Sequence, residues 1–388
     1  MSGPERIYLD NAATSWPKPP SVYDAVDHYS REVGAAAGRG AYREALEAKH
    51  IVDRTRLLMA RFVGAKDSES VIFTANGSDG LNLSLHGVLR PGDHVVTSDA
   101  EHNSILRPLA ELTQRGVVDV TYVRTSSWGT LDPEHVRAAL RPNTRLVAVT
   151  HASNVTGAML PIEDIGKIAK DQGILFLVDA AQTLGHVPIQ VEKANIDLLA
   201  GSGHKGLLGP LGTGILYVRP GVEQELVTIR QGGTGSFSDQ AGQPDSMPDK
   251  LEVGNLNVPG LAGLQAGVSF LEEQGLESRR QIELEHGERL AHGIREVDGV
   301  TVYGPQQAGQ CVSVLSLTID GCSPQECASL LDAAFSIQVR AGLHCAPRMH
   351  RRLGTIDGGG TVRLSWGAFT SHEQVEAVIR AIQEIARA

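Results

Sequence analysis

Between residues 70 and 220 the chain alternates short, uninterrupted apolar runs with longer stretches in which apolar residues recur every three or four positions. The run 71–74 precedes a helical pattern over 79–88, 94–97 precedes 104–114, 118–123 precedes 133–140, and 146–150 precedes 161–172. A further run, 174–178, ends at Asp179. Strands without polar alternation are buried on both faces, and intervening helices supply the cover, so the expected fold is α/β around a parallel sheet. Ligands of such sheets bind in the loops beyond the strand C-termini. Ahead of this region, 41–62 has helical spacing. Beyond residue 255 the pattern changes to helices over 261–271 and 282–297, strands over 312–319, 337–340 and 362–366, and a closing helix over 374–386. That is an α+β second domain, joined through the Gly/Pro/Asp-rich stretch 232–249. The expected division is an N-terminal segment, 1–15, packing on the small domain, a large domain over 16–255, and a small C-terminal domain over 256–388.

Composition narrows the function classes. The 388 residues are 41% hydrophobic and 21% charged with no low-complexity tract, which places the chain among ordinary globular proteins with a substantial core. A formal net charge of −10 without any Lys/Arg run argues against a dedicated nucleic-acid or anionic-membrane binder. The N-terminus has no apolar signal region and no stretch approaches the length of a membrane span, so a cytoplasmic location is expected. Four cysteines, Cys311, Cys322, Cys327 and Cys345, lie in the last quarter without paired CxxC spacing, which favours neither a disulfide framework nor a metal site. The first three read as structural. Cys322 and Cys327 flank a helix start at Ser323-Pro324-Gln325-Glu326, where a serine cap and an N1 proline suffice.

The candidate chemistry falls in the loops after the strands. Lys205 closes Ser202-Gly203-His204-Lys205, downstream of Asp179 at the end of a buried run. A lysine able to form a Schiff base and an acid facing a pyridinium nitrogen are what an enzyme needs to hold pyridoxal 5'-phosphate (PLP). A buried carboxylate at Asp179 requires a partner, which a protonated ring nitrogen would supply in preference to a helix-cap role. Gln182 lies one turn further on the same face. The loop around Gly77 and Ser78 could cradle a phosphate at a helix N-terminus, although a capping turn with Ser78 as cap explains the same residues. His102, in the next strand-to-helix loop, could stack on a flat cofactor and shuttle protons, or could be merely solvated. Asn154 could donate to a phenolic oxygen or close an Asx turn before Gly157.

Residues 201–206 also fit the dinucleotide pattern GxGxxG, but that fingerprint needs a helix straight after the glycines, and Leu207-Leu-Gly-Pro-Leu-Gly212 forbids one. Cys345 stands in Arg340-Ala-Gly-Leu-His-Cys-Ala346, with Arg363 eighteen residues on. Cationic neighbours raise the thiolate fraction, and arginine suits bidentate capture of an α-carboxylate. Structural and reactive readings of Cys345 weigh about equally at this point.

Together, Tyr8-Leu-Asp-Asn-Ala-Ala-Thr14, Glu101-His102-Asn-Ser104, Ser153-Asn154-Val-Thr-Gly157, Val178-Asp179-Ala-Ala-Gln182, Ser202-Gly-His-Lys205 with Gly209-Pro-Leu-Gly212, and 340–346 resemble the cysteine desulfurases. These are fold type I PLP enzymes of the class V aminotransferase superfamily, and the resemblance runs from residue 8 to about 367. The form of the cysteine motif is similar to the second group of desulfurases, which includes selenocysteine-lyase-like members. The resemblance implies a large domain with a mainly parallel seven-stranded sheet and a smaller α+β C-terminal domain carrying Cys345. It implies Lys205 as the cofactor lysine, Asp179 at the pyridinium nitrogen, Gln182 at the phenolic oxygen and His102 on the ring. Gly77, Ser78, Ser202 and His204 would hold the phosphate. Arg363 would take the substrate carboxylate, with Asn154, Ala13 and Arg340 beside the substrate, and Cys345 would receive sulfur. The family is dimeric, and Thr234, in the segment 232–235, would reach the neighbouring subunit's phosphate. The sequence departs from the family at Leu343, where many second-group members carry histidine, and in the Asn-Gly-Ser-Asp phosphate loop. The function expected is conversion of L-cysteine to L-alanine with a persulfide left on Cys345 and passed to an acceptor protein or thiol. A selenocysteine lyase, an aminotransferase or epimerase of the same superfamily, and a non-catalytic sulfur carrier are the alternatives.

Overall fold

The computed structural model describes residues 6–38 and 40–387. In chain order the elements are β1 (Ile7–Tyr8), α1 (Pro20–His28), α2 (Arg43–Val63), β2 (Val71–Thr74), α3 (Gly77–Val88), β3 (Asp93–Ser98), α4 (Asn103–Gln114) and β4 (Val118–Val123). They continue with α5 (Pro133–Ala139), β5 (Thr144–Thr150), α6 (Ile162–Asp171), β6 (Leu175–Asp179), β7 (Leu198–Ser202), β8 (Gly214–Val218) and α7 (Val258–Gln274). The C-terminal part holds α8 (Leu276–Arg295), β9 (Val300–Tyr303), β10 (Val314–Ile319), α9 (Pro324–Phe335), β11 (Ile337–Gln338), β12 (Arg340–Gly342), α10 (Pro347–Leu353), β13 (Thr361–Ser365) and α11 (His372–Arg387).

Seven strands form one sheet in the order β2-β8-β7-β6-β5-β3-β4, parallel throughout except for β8, which runs antiparallel to both neighbours. Its central strands, such as Leu146 to Val149 and Phe176 to Val178, are buried on both faces, as their unbroken apolar runs require. Two apolar cores lie against the two faces of the sheet. Four strands, β12-β13-β10-β9, make a second, antiparallel sheet, whose core includes Leu290 and Ile294 of α8, Leu331 of α9 and Val378 and Ile382 of α11. β1 pairs with β11, so the described part of the N-terminal segment is stitched to this second body. The packing of α7 differs from the division expected at residue 256. Val258, Leu261, Leu264 and Val268 enter a core of the large sheet, so that helix belongs with the first body.

The helix start at Ser323 is a full capping box with Glu326, and Cys327 is buried beneath it. Cys311 is half-buried, and burial pushes its thiol up to about 11. Among the described residues no helix is long and apolar enough to cross a membrane.

Candidate active site

The parallel strands aim their C-termini at one edge, and there the chain folds into a single depression. It is lined by Gly77 and Ser78 after β2, His102 and Ser104 after β3, Asn154 after β5, Asp179 and Gln182 after β6, and Ser202 and Lys205 after β7. Eight residues singled out from sequence therefore meet in one place, although 128 positions separate the first from the last.

Lys205 is placed by a tight turn. Gly203 accepts from Gly209 at 2.8 Å, the Leu208 N–H reaches the Lys205 carbonyl at 2.9 Å, and Leu208 adopts a left-handed backbone with φ of 60°. Gly206 is obligatory in this turn: a Cβ there would stand 2.3 Å from the Leu184 carbonyl oxygen. No helix follows, which removes the dinucleotide pattern on structural grounds as well. Burial lowers the Lys205 amine to about 8, with Asp179 pulling the other way and Arg363 and Arg340 adding to the depression. Its Nζ has no hydrogen-bond partner among the described residues.

Asp179 is buried, with 4% of its surface exposed, and one carboxylate oxygen accepts from the Ala181 N–H at 2.9 Å. Burial raises its carboxyl above the usual range, against the Ala181 bond and the Lys205 charge. Gln182 donates from Nε2 to the Ala12 carbonyl at 3.1 Å.

At the phosphate loop the cap is Asn76, which accepts from the Asp79 N–H at 3.0 Å, rather than Ser78. Ser78 is thereby released, and its hydroxyl lies 2.6 Å from Ser104 Oγ. Gly77 packs against β7, where a Cβ would approach Ser202 Oγ to 2.8 Å. His102 caps α4 with its own ring, Nδ1 accepting from the Ser104 N–H at 3.1 Å. An accepting Nδ1 puts the single proton of a neutral imidazole on Nε2. Burial, followed by the Lys205, Arg340 and Arg363 charges, lowers this histidine to about 4, so it is neutral at pH 7.

Cys345 lies above this edge on a loop fastened at successive carbonyls. Asn154 Nδ2 donates to the His344 carbonyl at 2.6 Å, and the Asn103 N–H donates to the Cys345 carbonyl at 2.7 Å. Asn154 thus makes no Asx turn. Both His344 and Cys345 are left-handed, with φ of 47° and 59°, a conformation non-glycine residues hold only when neighbours fix it. Arg340 Nη2 is 3.6 Å from Cys345 Sγ and provides the expected cation. His344 does not. Its ring turns away, Nε2 lying 3.1 Å from both the carbonyl and hydroxyl oxygens of Thr361, and burial lowers it to about 2, so it carries no charge beside the thiol.

Arg363 is 1% exposed and donates to Asp10 Oδ1 at 2.7 Å and to the Asn154 carbonyl at 3.2 Å. Ala13 sits on the same N-terminal turn, its N–H bonded to the Asp10 carbonyl at 3.0 Å. Two expected phosphate ligands are not among the residues that line the depression. His204 directly precedes Lys205 and is lowered to about 4 by burial and the Lys205 charge, with a buried Nδ1 that has no partner among the described residues. Thr234 bonds to Ser236 and lines a different hollow beside Arg56, Pro248 and Glu252.

Sequence reading missed three contributors: Ser104, which joins Ser78 to His102; Glu101, fully buried under the pocket; and Asp10 on Arg363. The motifs holding them were visible, but their partners lie 26, 49 and 353 positions away.

The donor set suits a flat, anionic aldehyde cofactor. A buried acid presents a carboxylate to the depression, a depressed amine has no partner, and the orphaned His204 Nδ1 and the hydroxyls of Ser78 and Ser202 are available to an anion. The family model for aminotransferase class-V matches residues 7–378. A probable cysteine desulfurase of Methanothermobacter thermautotrophicus is 36% identical over 98% of this chain and 95% of its own. A cysteine desulfurase of Haloferax volcanii is 30% identical over 97% and 88%. Among solved structures, the apo cysteine desulfurase of Thermococcus onnurineus superposes with a TM-score of 0.90 at 35% identity, covering 98% of this chain and 95% of that one. The fold and the lysine-centred pocket define a class V aminotransferase fold, and the chain belongs to that family. Within it, the chain is a PLP-dependent cysteine desulfurase family member.

Proposed function

We propose that the protein binds PLP at Lys205 and converts L-cysteine to L-alanine, sulfur passing to Cys345 as a persulfide and then to an acceptor protein or thiol. Asp179 would face the ring nitrogen, Gln182 the phenolic oxygen, His102 the ring, and Ser78, Ser202 and His204 the phosphate. Thr234, which lines a different hollow from Ser78, would complete the phosphate site of a second copy in a homodimer. PLP, when bound, supplies the electron sink that makes the substrate Cα acidic.

The chain supplies the rest. Lys205, with its amine lowered to about 8, is partly neutral near pH 7 and suited to take the proton from Cα. Arg363 orients the substrate by its carboxylate, with Asn154 and Ala13 alongside. Arg340, with Nη2 3.6 Å from Cys345 Sγ, is the cation beside the attacking thiolate. That thiolate forms a bond to the substrate sulfur as the Cβ–Sγ bond breaks, and the electron pair remains with the substrate carbon, which is protonated to give alanine. The observation that carries this reading is the Cys345 loop, anchored through Asn154 and Asn103 over the Lys205 depression.

Alanine and sulfide should form from L-cysteine in the presence of a reducing thiol. Lys205→Ala should be colourless, and Cys345→Ala should retain colour while losing activity toward cysteine by at least about 100-fold. Unchanged alanine release by Cys345→Ala would refute the persulfide route. Parallel turnover of L-selenocysteine by that variant would instead identify a selenocysteine lyase, and keto-acid or inverted product without sulfide would identify another superfamily reaction.

A further inference from the structure

Arg363 leaves little of its charge free. It points from β13 into a nearly sealed site, Nη2 on Asp10 Oδ1, Nη1 on the Asn154 carbonyl, and Nε buried without an acceptor among the described residues. Arg340 lies directly across from it in the β12–β13 register. Adjacent guanidinium groups repel, and Asp10 is the carboxylate that offsets them, being the acidic partner of Arg363 among the described residues. The balance changes during turnover. Two arginine charges would face the Cys345 thiolate, a substrate carboxylate and Asp10, so one anion is then in surplus.

Asp10 is the anion that can give way. It is 23% exposed on its side chain, and the turn that carries it touches the rest of the pocket. Ala12 receives the Gln182 amide at 3.1 Å, while the Ser15 N–H and the Thr14 hydroxyl reach the carbonyl of His204, next to Lys205, at 3.0 and 3.1 Å.

We propose that Asp10 is a placeholder for the α-carboxylate of the substrate on Arg363. It keeps the buried guanidinium paired while the site is empty, competes with an incoming carboxylate, and re-pairs with Arg363 as alanine leaves. This rests on the reading that Arg363 receives the substrate carboxylate. Asp10 is a positioning residue, and its charge sets the affinity for amino acid and speeds product departure at the expense of tight binding.

The test uses holoenzyme and three small probes: propionate, L-alanine and ethylamine, titrated by calorimetry. Asp10→Asn keeps the size of the side chain and an acceptor for Nη2 but removes the charge. It should bind propionate and L-alanine more tightly by on the order of tenfold, with ethylamine unchanged. KM for L-cysteine should fall, and kcat should fall where alanine release limits turnover. Asp10→Glu, which keeps the charge, should bind propionate no more tightly than the wild type. If Asp10→Asn melts early, Asp10→Ser is titrated in its place. Propionate and alanine binding that is unchanged or weaker without the charge would overturn the proposal, because Asp10 would then only orient Arg363. Propionate binding that survives Arg363→Gln would overturn both this proposal and the carboxylate role of Arg363. Absence of alanine and sulfide from L-cysteine would sink the desulfurase reading alone, since the propionate titrations need no turnover.

Discussion

Glu101 is a carboxyl group fully excluded from solvent and without a cationic partner among the described residues. One oxygen takes the Ser98 hydroxyl at 2.5 Å and the other the Thr150 N–H at 2.9 Å, yet burial, reinforced by the nearby Asp179 charge, outweighs these bonds and raises it to about 8. A carboxyl raised above its unfolded value favours the folded state at low pH. That contribution is complete below about 4.5 and is lost as pH rises through about 8. Glu101→Gln reproduces the protonated group. The wild type should therefore lose stability relative to the variant by at least about 1 kcal/mol between pH 6 and 9, read from denaturant melts, and a pH-independent difference would show that Glu101 is ionised throughout. Such a residue is invisible to pattern reading, where it is only the neighbour of His102. Lys205, Asp179 and His102 were legible because strand C-termini are where an α/β sheet exposes chemistry. Asp10 and Glu101 act through tertiary partners that no local spacing encodes.

At the next scale, α4 begins on a functional side chain, because the His102 ring that would face the cofactor also caps the helix. Removing it should do two separable things. His102→Ala should cost about 0.5–2 kcal/mol of stability through the lost cap, whereas His102→Asn, with a good capping side chain, should stay within a few tenths of the wild type. Both should lose roughly 100-fold or more in turnover. Restored activity in His102→Asn would show that the ring matters only as a cap. The elements themselves were legible where periodicity is strong, as in α2 and in the strand–helix pairs from β2 to α6. β7 and β8 escaped the alternating pattern for a physical reason: they are joined by the lysine turn, not by a crossover helix, and β8 returns antiparallel. Of the two readings open for Ser78, the capping turn fails: Asn76 and Ser78 are both good caps, and only the Asn76–Asp79 bond decides between them.

For the whole molecule, the two sheets meet through the small apolar cluster of Ala12, Ala152, Val312 and Val314, through Ala346 and Met349 entering the core of the large sheet, and through polar contacts. Glu283 of α8 is the centre of one polar group: the carboxylate is 2.9 Å from His186 Nδ1 and accepts from Ser313 Oγ at 2.7 Å, while its carbonyl accepts from Trp366 Nε1 at 2.9 Å. Residues from both bodies, Glu283 and Lys205 among them, line one small hollow behind the lysine. Burial pushes the Glu283 carboxyl up, but the His186 charge and hydrogen bond and the Ser313 hydroxyl prevail and hold it below the usual value. A depressed carboxylate contributes stability above its unfolded pKa of about 4.5 and loses it as pH falls through its lower folded value. Glu283→Gln should therefore melt earlier than the wild type at pH 7, by about 1–3 kcal/mol, with the gap closing as pH falls below the unfolded value of about 4.5. The two-body arrangement was legible in the change of pattern beyond residue 255, but this latch was not, because its four members are spread over 180 positions from His186 to Trp366. Its consequence reaches the chemistry, since Cys345 is carried beside β12 and β13 while Lys205 belongs to the large sheet. A displacement of about 1 Å between nucleophile and substrate can cost about 100-fold. The latch variant should keep the yellow colour of a loaded Lys205 and still form alanine more slowly than the wild type. Equal loss of colour and turnover would mean that Glu283 supports the lysine pocket itself and not the register between the two bodies.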